Sequence, residues 1–196
     1  MADPSPTIPR FSAGVLAGGR SLRMGTDKAF LRIDGELLIE RQLHCLQECG
    51  ASEILISGRM EVDYSALGHE VVYDQLERAG PLAGLASLMA ASSFTHLLVV
   101  AVDMPQMTSG LLRKIVGQCD EIAGCVPIDQ FGLQPLAAVY PTSLLAVAEQ
   151  CLLEGRYAMG AFVTEAITRG MLRTMKVGPE NEKCFTNWNS PSDWVH

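Results

Sequence analysis

Apolar runs alternate with stretches of helical period from one end of the chain to the other. The runs at 11–17, 53–57, 70–74 and 96–102 are short and bounded by turn residues, which reads as strands. The last of these is apolar on both faces, as expected at the centre of a sheet. An extended stretch at 29–33 and the turn Asp34-Gly35 lead into a helix at 36–49, which Gly50 closes as a C-terminal stop. A second helix opens at Gly80-Pro81, proline being favoured at the first helical position. Thr108 or Ser109 can cap a third at 110–119. An extended stretch at 122–128, a turn at 129–132, a strand at 136–140, helices at 143–153 and 158–169, a strand at 171–177 and a short tail at 190–196 complete the pattern. Strands and helices in alternation predict an α/β fold, a mostly parallel central sheet with helices on its faces. With no internal repeat, low-complexity tract or linker, the expected organisation is one domain over 10–196, preceded by a disordered N-terminal arm at 1–9.

Composition narrows the class. At 196 residues a single core can bury roughly 70% of the unfolded surface. The hydrophobic fraction of 48% and charged fraction of 19% are those of an ordinary globular protein. A formal charge of −7 argues against a nucleic-acid partner, because binding a phosphate backbone needs clustered Lys and Arg. The longest apolar run, at 97–102, is too short to span a bilayer. The opening segment MADPSPTIPR holds three prolines and no apolar signal core. No membrane partner and a cytoplasmic location are therefore expected. Six cysteines (Cys45, Cys49, Cys119, Cys125, Cys151, Cys184) form no CxxC pair and read as reduced thiols. Cys45 and Cys49 flank the stripe Ile39, Leu43, Leu46 and should pack as small hydrophobes. His44, His69, His96 and His196 are expected to be structural or surface residues.

Chemistry concentrates at the ends of the predicted strands. Leu16-Ala17-Gly18-Gly19-Arg20-Ser21-Leu22-Arg23-Met24-Gly25-Thr26-Asp27-Lys28 puts three glycines, two arginines and a lysine directly after the first strand. Glycines let backbone N–H groups approach an anion, and the cations compensate its charge. The segment from Gly14 to Ser21 is a near miss to the P-loop, with Arg20 in place of the lysine and most of the spacer inside the predicted strand; the GxGxxG dinucleotide signature is absent. Asp103, in Val102-Asp103-Met104-Pro105, ends a central apolar strand, where a carboxylate needs a partner. Mg²⁺ suits it, since that ion is commonly held by one or two carboxylates plus substrate phosphates; a helix cap or loop-ordering carboxylate is the alternative. Asp74 ends the third strand, and Gly80 opens a helix whose N-terminal N–H groups can face an anion. In a parallel sheet these ends share one edge, so Gly18, Ser57, Asp74 and Asp103 should line a single crevice.

The chain resembles the molybdenum cofactor guanylyltransferases, the MobA-like nucleotidyltransferase family. The resemblance runs through LAGGRSLRMGTDK from Leu16 to Lys28, Asp74 followed by GPLAGL from Gly80, and Asp103-Met104-Pro105. It continues through QPLAAVY from Gln134 and FTNWNSP from Phe185, in order and over nearly the whole chain. It implies a Rossmann-like three-layer nucleotidyltransferase fold and transfer of GMP from GTP to the phosphate of Mo-molybdopterin, releasing pyrophosphate. By the same resemblance Leu16, Ala17, Gly18 and Gly19 would cradle the nucleotide, and Arg23 and Lys28 would neutralise the triphosphate. Asp74 and Gly80 would contact the nucleotide, Asp103 would hold Mg²⁺, and Arg156, Asn187 and Asn189 would lie on the pterin-substrate side. Ser57 stands where well-known members carry Asn. Alternatives within the fold are a cytidylyl cofactor or nucleoside-diphosphate-sugar product; outside it, a non-catalytic nucleotide-binding regulator. An oxygen-labile product also fits transient docking to molybdenum-cofactor delivery proteins or apo-enzymes.

Overall fold

Three of the expected apolar runs lie side by side at the centre of one sheet. In the computed structural model, which describes residues 10–18, 28–73 and 79–188, β1 (Ser12–Leu16) pairs in parallel with β4 (Glu53–Gly58) on one side. On the other side it pairs in parallel with β6 (His96–Ala101). Every residue of β1 and β6 is buried, which explains why both read as continuous apolar runs without alternation. β5 (Glu70–Tyr73) extends the sheet beyond β4.

Between β1 and β4 the chain makes a 3-10 turn, Lys28–Phe30, and a small hairpin of β2 (Arg32–Ile33) and β3 (Glu36–Leu37). Asp34 and Gly35 both have positive φ, 53° and 87°, the geometry that suits a two-residue hairpin turn. The pairing of Glu36 and Leu37 delays the helix expected from 36, and α1 runs Leu38–Cys49. Gly50 closes it at φ 91°. α2 (Pro81–Ala91) begins at proline as expected, and α3 (Ser109–Val116) is capped by Thr108, whose hydroxyl accepts from Leu111 N–H at 3.3 Å.

Past α3 the chain crosses to the other half of the sheet. β7 (Gly124–Asp129) and β8 (Gly132–Leu133) form a hairpin, and β9 (Ala137–Pro141) runs antiparallel to β6. After a 3-10 turn come α4 (Leu145–Leu153), α5 (Met159–Thr168) and β10 (Leu172–Lys176), the last parallel to β7. A 3-10 segment, Pro179–Phe185, follows. The strand order is β10-β7-β9-β6-β1-β4-β5, with β8 paired to β7. Only β8 and β9 oppose the common direction, so the sheet is mostly parallel as expected.

Helices cover both faces. α1, α3 and the end of the last 3-10 segment pack with Val15, Ile56, Leu98 and Val100, while α2, α4 and α5 pack with Leu16, Leu55, Leu97 and Val99. The two lists alternate along each strand, as the two-residue period requires. Gly14 shows how closely α2 seats: a Cβ there would stand 2.6 Å from Leu88 Cδ1. The first glycine of the apparent P-loop spacing is therefore a packing glycine inside β1. Among the described residues no helix is long and apolar enough to cross a membrane.

Candidate functional site

Six strands, β1, β4, β5, β6, β7 and β10, point their carboxyl ends to one edge, the place where open α/β sheets bind ligands. At its centre β1 ends between two neighbours. Ala17 N–H donates to Ser57 C=O at 2.9 Å, and Val102 N–H donates to Leu16 C=O at 3.2 Å. The side chains of Leu16 and Ala17 are buried, 9% and 1% exposed, on opposite faces of the sheet. These two residues can therefore offer a ligand little beyond their backbone. Gly18 follows, half-buried at the edge.

Lys28 and Asp103, 75 positions apart, meet here: Lys28 Nζ lies 3.3 Å from Asp103 Oδ2. Lys28 opens the 3-10 turn and is seated by its neighbour Ala29, which is fully buried under α1. Asp103 stands just beyond β6. Their side chains are 18% and 20% exposed, close enough to solvent for a ligand to reach both. Among the described residues Lys28 is the one donor to the Asp103 carboxylate, so the carboxylate retains acceptor capacity.

That arrangement suits a magnesium ion held mostly by its substrate. Among the described residues no group of three or more His, Cys, Asp or Glu could cage a cation. One partly exposed carboxylate at the mouth of the sheet leaves the remaining positions for phosphate oxygens and water, as Mg²⁺ prefers. The cysteines offer no competing thiolate. Burial pushes Cys49 and Cys125 up to about 11 and Cys119 up to about 12. All six are free thiols, and Cys45 and Cys49 lie on α1 as small packing residues.

The C-terminal segment returns to this edge, an approach that hydropathy alone does not show, although the resemblance puts Asn187 on the substrate side. After Phe185 anchors in the core at 6% exposure, Trp188 N–H donates to Asp103 C=O at 2.9 Å. Asn187, the preceding residue, is exposed beside it. Pro179 and the pair Cys184-Phe185 bound a 3-10 segment too short for helical periodicity to register.

Other expected members are placed less centrally. Gly80 stands at the start of α2 with φ 67°, ready to orient the helix N-terminus at the same edge. Arg156 follows α4, which runs back toward this edge from the far end of β9. It is tied to Glu154 at 2.7 Å and Glu165 at 3.1 Å, not to the Lys28–Asp103 pair. Ser57 pairs with Leu16 at the end of β1, on this same edge, and is 1% exposed. Gly19, Arg23, Asp74 and Asn189 lie outside the described residues.

Comparison with known proteins gives the family and the fold. The family model described as the MobA-like NTP transferase domain matches residues 13–169. A protein of Opitutus terrae named "Probable molybdenum cofactor guanylyltransferase" is 38% identical, covering 93% of this chain and 92% of that one. A Pelotomaculum thermopropionicum protein of the same name is 36% identical, with 92% and 88% covered. Among solved structures, the Archaeoglobus fulgidus molybdopterin-guanine dinucleotide biosynthesis protein A superposes with a TM-score of 0.75 at 23% identity, covering 93% of this chain and 94% of that one. That likeness shows the fold.

Proposed function

The chain belongs to the MobA-like NTP transferase domain family, and on that footing we propose that it transfers GMP from GTP to the phosphate of Mo-molybdopterin, giving the guanine dinucleotide cofactor and pyrophosphate. The observation that carries the site assignment is the convergence of Lys28 and Asp103 at the carboxyl ends of β1 and β6.

The chemistry is a meeting of anions. An oxygen of the acceptor phosphate attacks the α-phosphorus of GTP in line; the new P–O bond forms as the bond to the β-phosphate bridging oxygen breaks, and pyrophosphate leaves with that electron pair. The protein's task is to position the two reactants and absorb developing charge. Gly18 and Gly19 bring backbone close to the nucleotide, and Asp74 and Gly80 contact it. Lys28 and Arg23 face the triphosphate and stabilise the departing pyrophosphate. Asp103 supplies the protein's carboxylate to Mg²⁺, which when bound screens the triphosphate charge. Asn187, Asn189 and Arg156 serve the pterin side; Asn187 is adjacent in sequence to the Trp188–Asp103 hydrogen bond.

GTP and Mo-molybdopterin are then the partners, with the cytoplasm as the place of work. Hand-over of product by docking to delivery proteins or apo-enzymes is part of the same proposal. The test is pyrophosphate release with each of four NTPs, with and without molybdopterin. Release with GTP that requires molybdopterin is expected. Preference for CTP, or no release with any nucleotide, would overturn the assignment.

A further inference from the structure

The buried stripe of α1 carries one polar side chain. Gln42 lies three residues after Ile39 and four before Leu46, and it is 0% exposed. Its Nε2 donates to Met104 C=O at 2.7 Å, while its Oε1 has no partner among the described residues. A buried amide with one end unmet carries an uncompensated desolvation cost. An aliphatic side chain of the same size would serve the core better, so packing does not account for this glutamine.

Its contact does. Met104 C=O also receives Met107 N–H at 3.1 Å, closing the turn that follows Asp103. Three residues beyond Gln42 on α1, Cys45 Sγ donates to Met107 C=O at 3.4 Å. The turn thus rests on α1 at both ends. From the opposite direction Trp188 N–H holds Asp103 C=O at 2.9 Å. Upstream, Ala101 N–H donates to Leu136 C=O at 2.8 Å and Val102 N–H to Leu16 C=O at 3.2 Å. Each residue from Ala101 to Met104 thus has one backbone group held, the four together by five different residues. Only Gln42 does so with a buried side chain whose other polar end is left unsatisfied.

We propose that Gln42 is a positioning residue: by fixing the Met104 carbonyl it sets the direction of the Asp103 carboxylate toward a divalent cation bound with the nucleotide. This rests on the metal role of Asp103 argued above. Losing the amide leaves the Met107–Met104 turn intact but frees the backbone beside Asp103 to rotate. A carboxylate swinging through even a fraction of an ångström no longer meets an ion that demands near-octahedral geometry.

The experiment compares the affinity for GTP by calorimetry with and without Mn²⁺, on wild type, Gln42→Met and Asp103→Ala, alongside urea unfolding. Gln42→Met keeps the volume and removes both polar ends. Its unfolding midpoint should match or exceed wild type, and its GTP affinity without metal should stay within twofold. The gain in affinity that Mn²⁺ brings should fall about tenfold, a differential effect on two ligands. A metal-dependent gain equal to wild type in Gln42→Met but lost in Asp103→Ala overturns the positioning role and leaves the metal role standing. A gain unchanged in Asp103→Ala overturns both. Should methionine lower the midpoint, Gln42→Leu is the second variant; a loss of coupling that follows the midpoint across the two, instead of appearing in both, also overturns the proposal.

Discussion

Two carboxylates sit at opposite ends of the central strands and are treated in opposite ways. Glu53, where β4 begins, accepts from the hydroxyl of Ser12, the hydroxyl of Ser93 at 2.6 Å and the amide of Ser93 at 2.9 Å. Burial pushes its pKa up, but the hydroxyl of Ser12 and both donors of Ser93 outweigh that and hold the group below the usual carboxylate range. Asp103, beyond the end of β6, has among the described residues one donor, Lys28, at a longer 3.3 Å. Glu53 is saturated by neutral donors and joins the starts of β1, β4 and β6. Asp103 is held by its backbone instead, with its side chain left able to take another ligand. Such a difference separates a carboxylate whose acceptor capacity is spent within the fold from one left open to a further ligand.

The largest effect should come from removing the second of these. Asp103→Ala is expected to cut kcat/KM for guanylyl transfer by about a thousandfold, the scale of a lost electrostatic anchor, while urea unfolding stays near wild type. If turnover survives, the contrast between the two carboxylates has no functional meaning.

Lys28 sharpens the same contrast. Lys28→Ala removes the cation that faces Asp103 and, in the proposed function, the triphosphate, and kcat/KM should fall by about a hundredfold. Steady-state kinetics with GTP varied should show both a higher KM and a lower kcat. A change in KM alone would mean that the lysine binds the ground state and the leaving group equally.

How much of this could be read from residues alone follows the same division. The strand ends were legible, because β1 and β6 are apolar on both faces and must be central, and Asp103 stood out as a charge closing such a run. Strand direction was not. Ala137–Pro141 has the hydropathy of any buried strand, and nothing in it says that it runs antiparallel to β6. Nor could periodicity show that Trp188 would return to Asp103, since that contact depends on the path of the whole chain. Gln42 was visible in principle as a polar residue on the Ile39–Leu46 stripe, yet its partner lies 62 positions away.

The opposite end of the comparison predicts stability effects without loss of turnover. Glu53→Gln should lower stability at pH 7 by about 1–2 kcal/mol, since it leaves hydroxyl and amide donors without their charged acceptor. Because the native pKa of Glu53 is depressed, its contribution is present above the unfolded value of about 4.3 and is lost as pH falls through the native one. Urea midpoints of wild type and variant should therefore converge between about pH 5 and pH 3. Reduced guanylyl transfer in Glu53→Gln at full stability would show that this edge is not merely structural.

The smallest expected effect also belongs to the far edge. His96, 1% exposed at the start of β6, approaches Thr95 Oγ1 through Nδ1 at 3.1 Å, and its Nε2 has no hydrogen-bond partner among the described residues. Burial holds its pKa below the usual value, opposed in part by the charge of Asp120, itself paired with Arg173. A base whose native pKa is depressed binds fewer protons folded than unfolded, so stability is full above the unfolded value of about 6.5. It declines as pH falls from there through the native pKa. His96→Leu should remove that decline, leaving urea midpoints at pH 7.5 and pH 5.0 closer together than in wild type. Guanylyl transfer at pH 7.5 should be unchanged, because the ring lies a full strand length from Asp103. An equal drop in midpoint for both proteins would mean that the acid sensitivity of this edge resides in Asp120 and Arg173 and not in the buried imidazole.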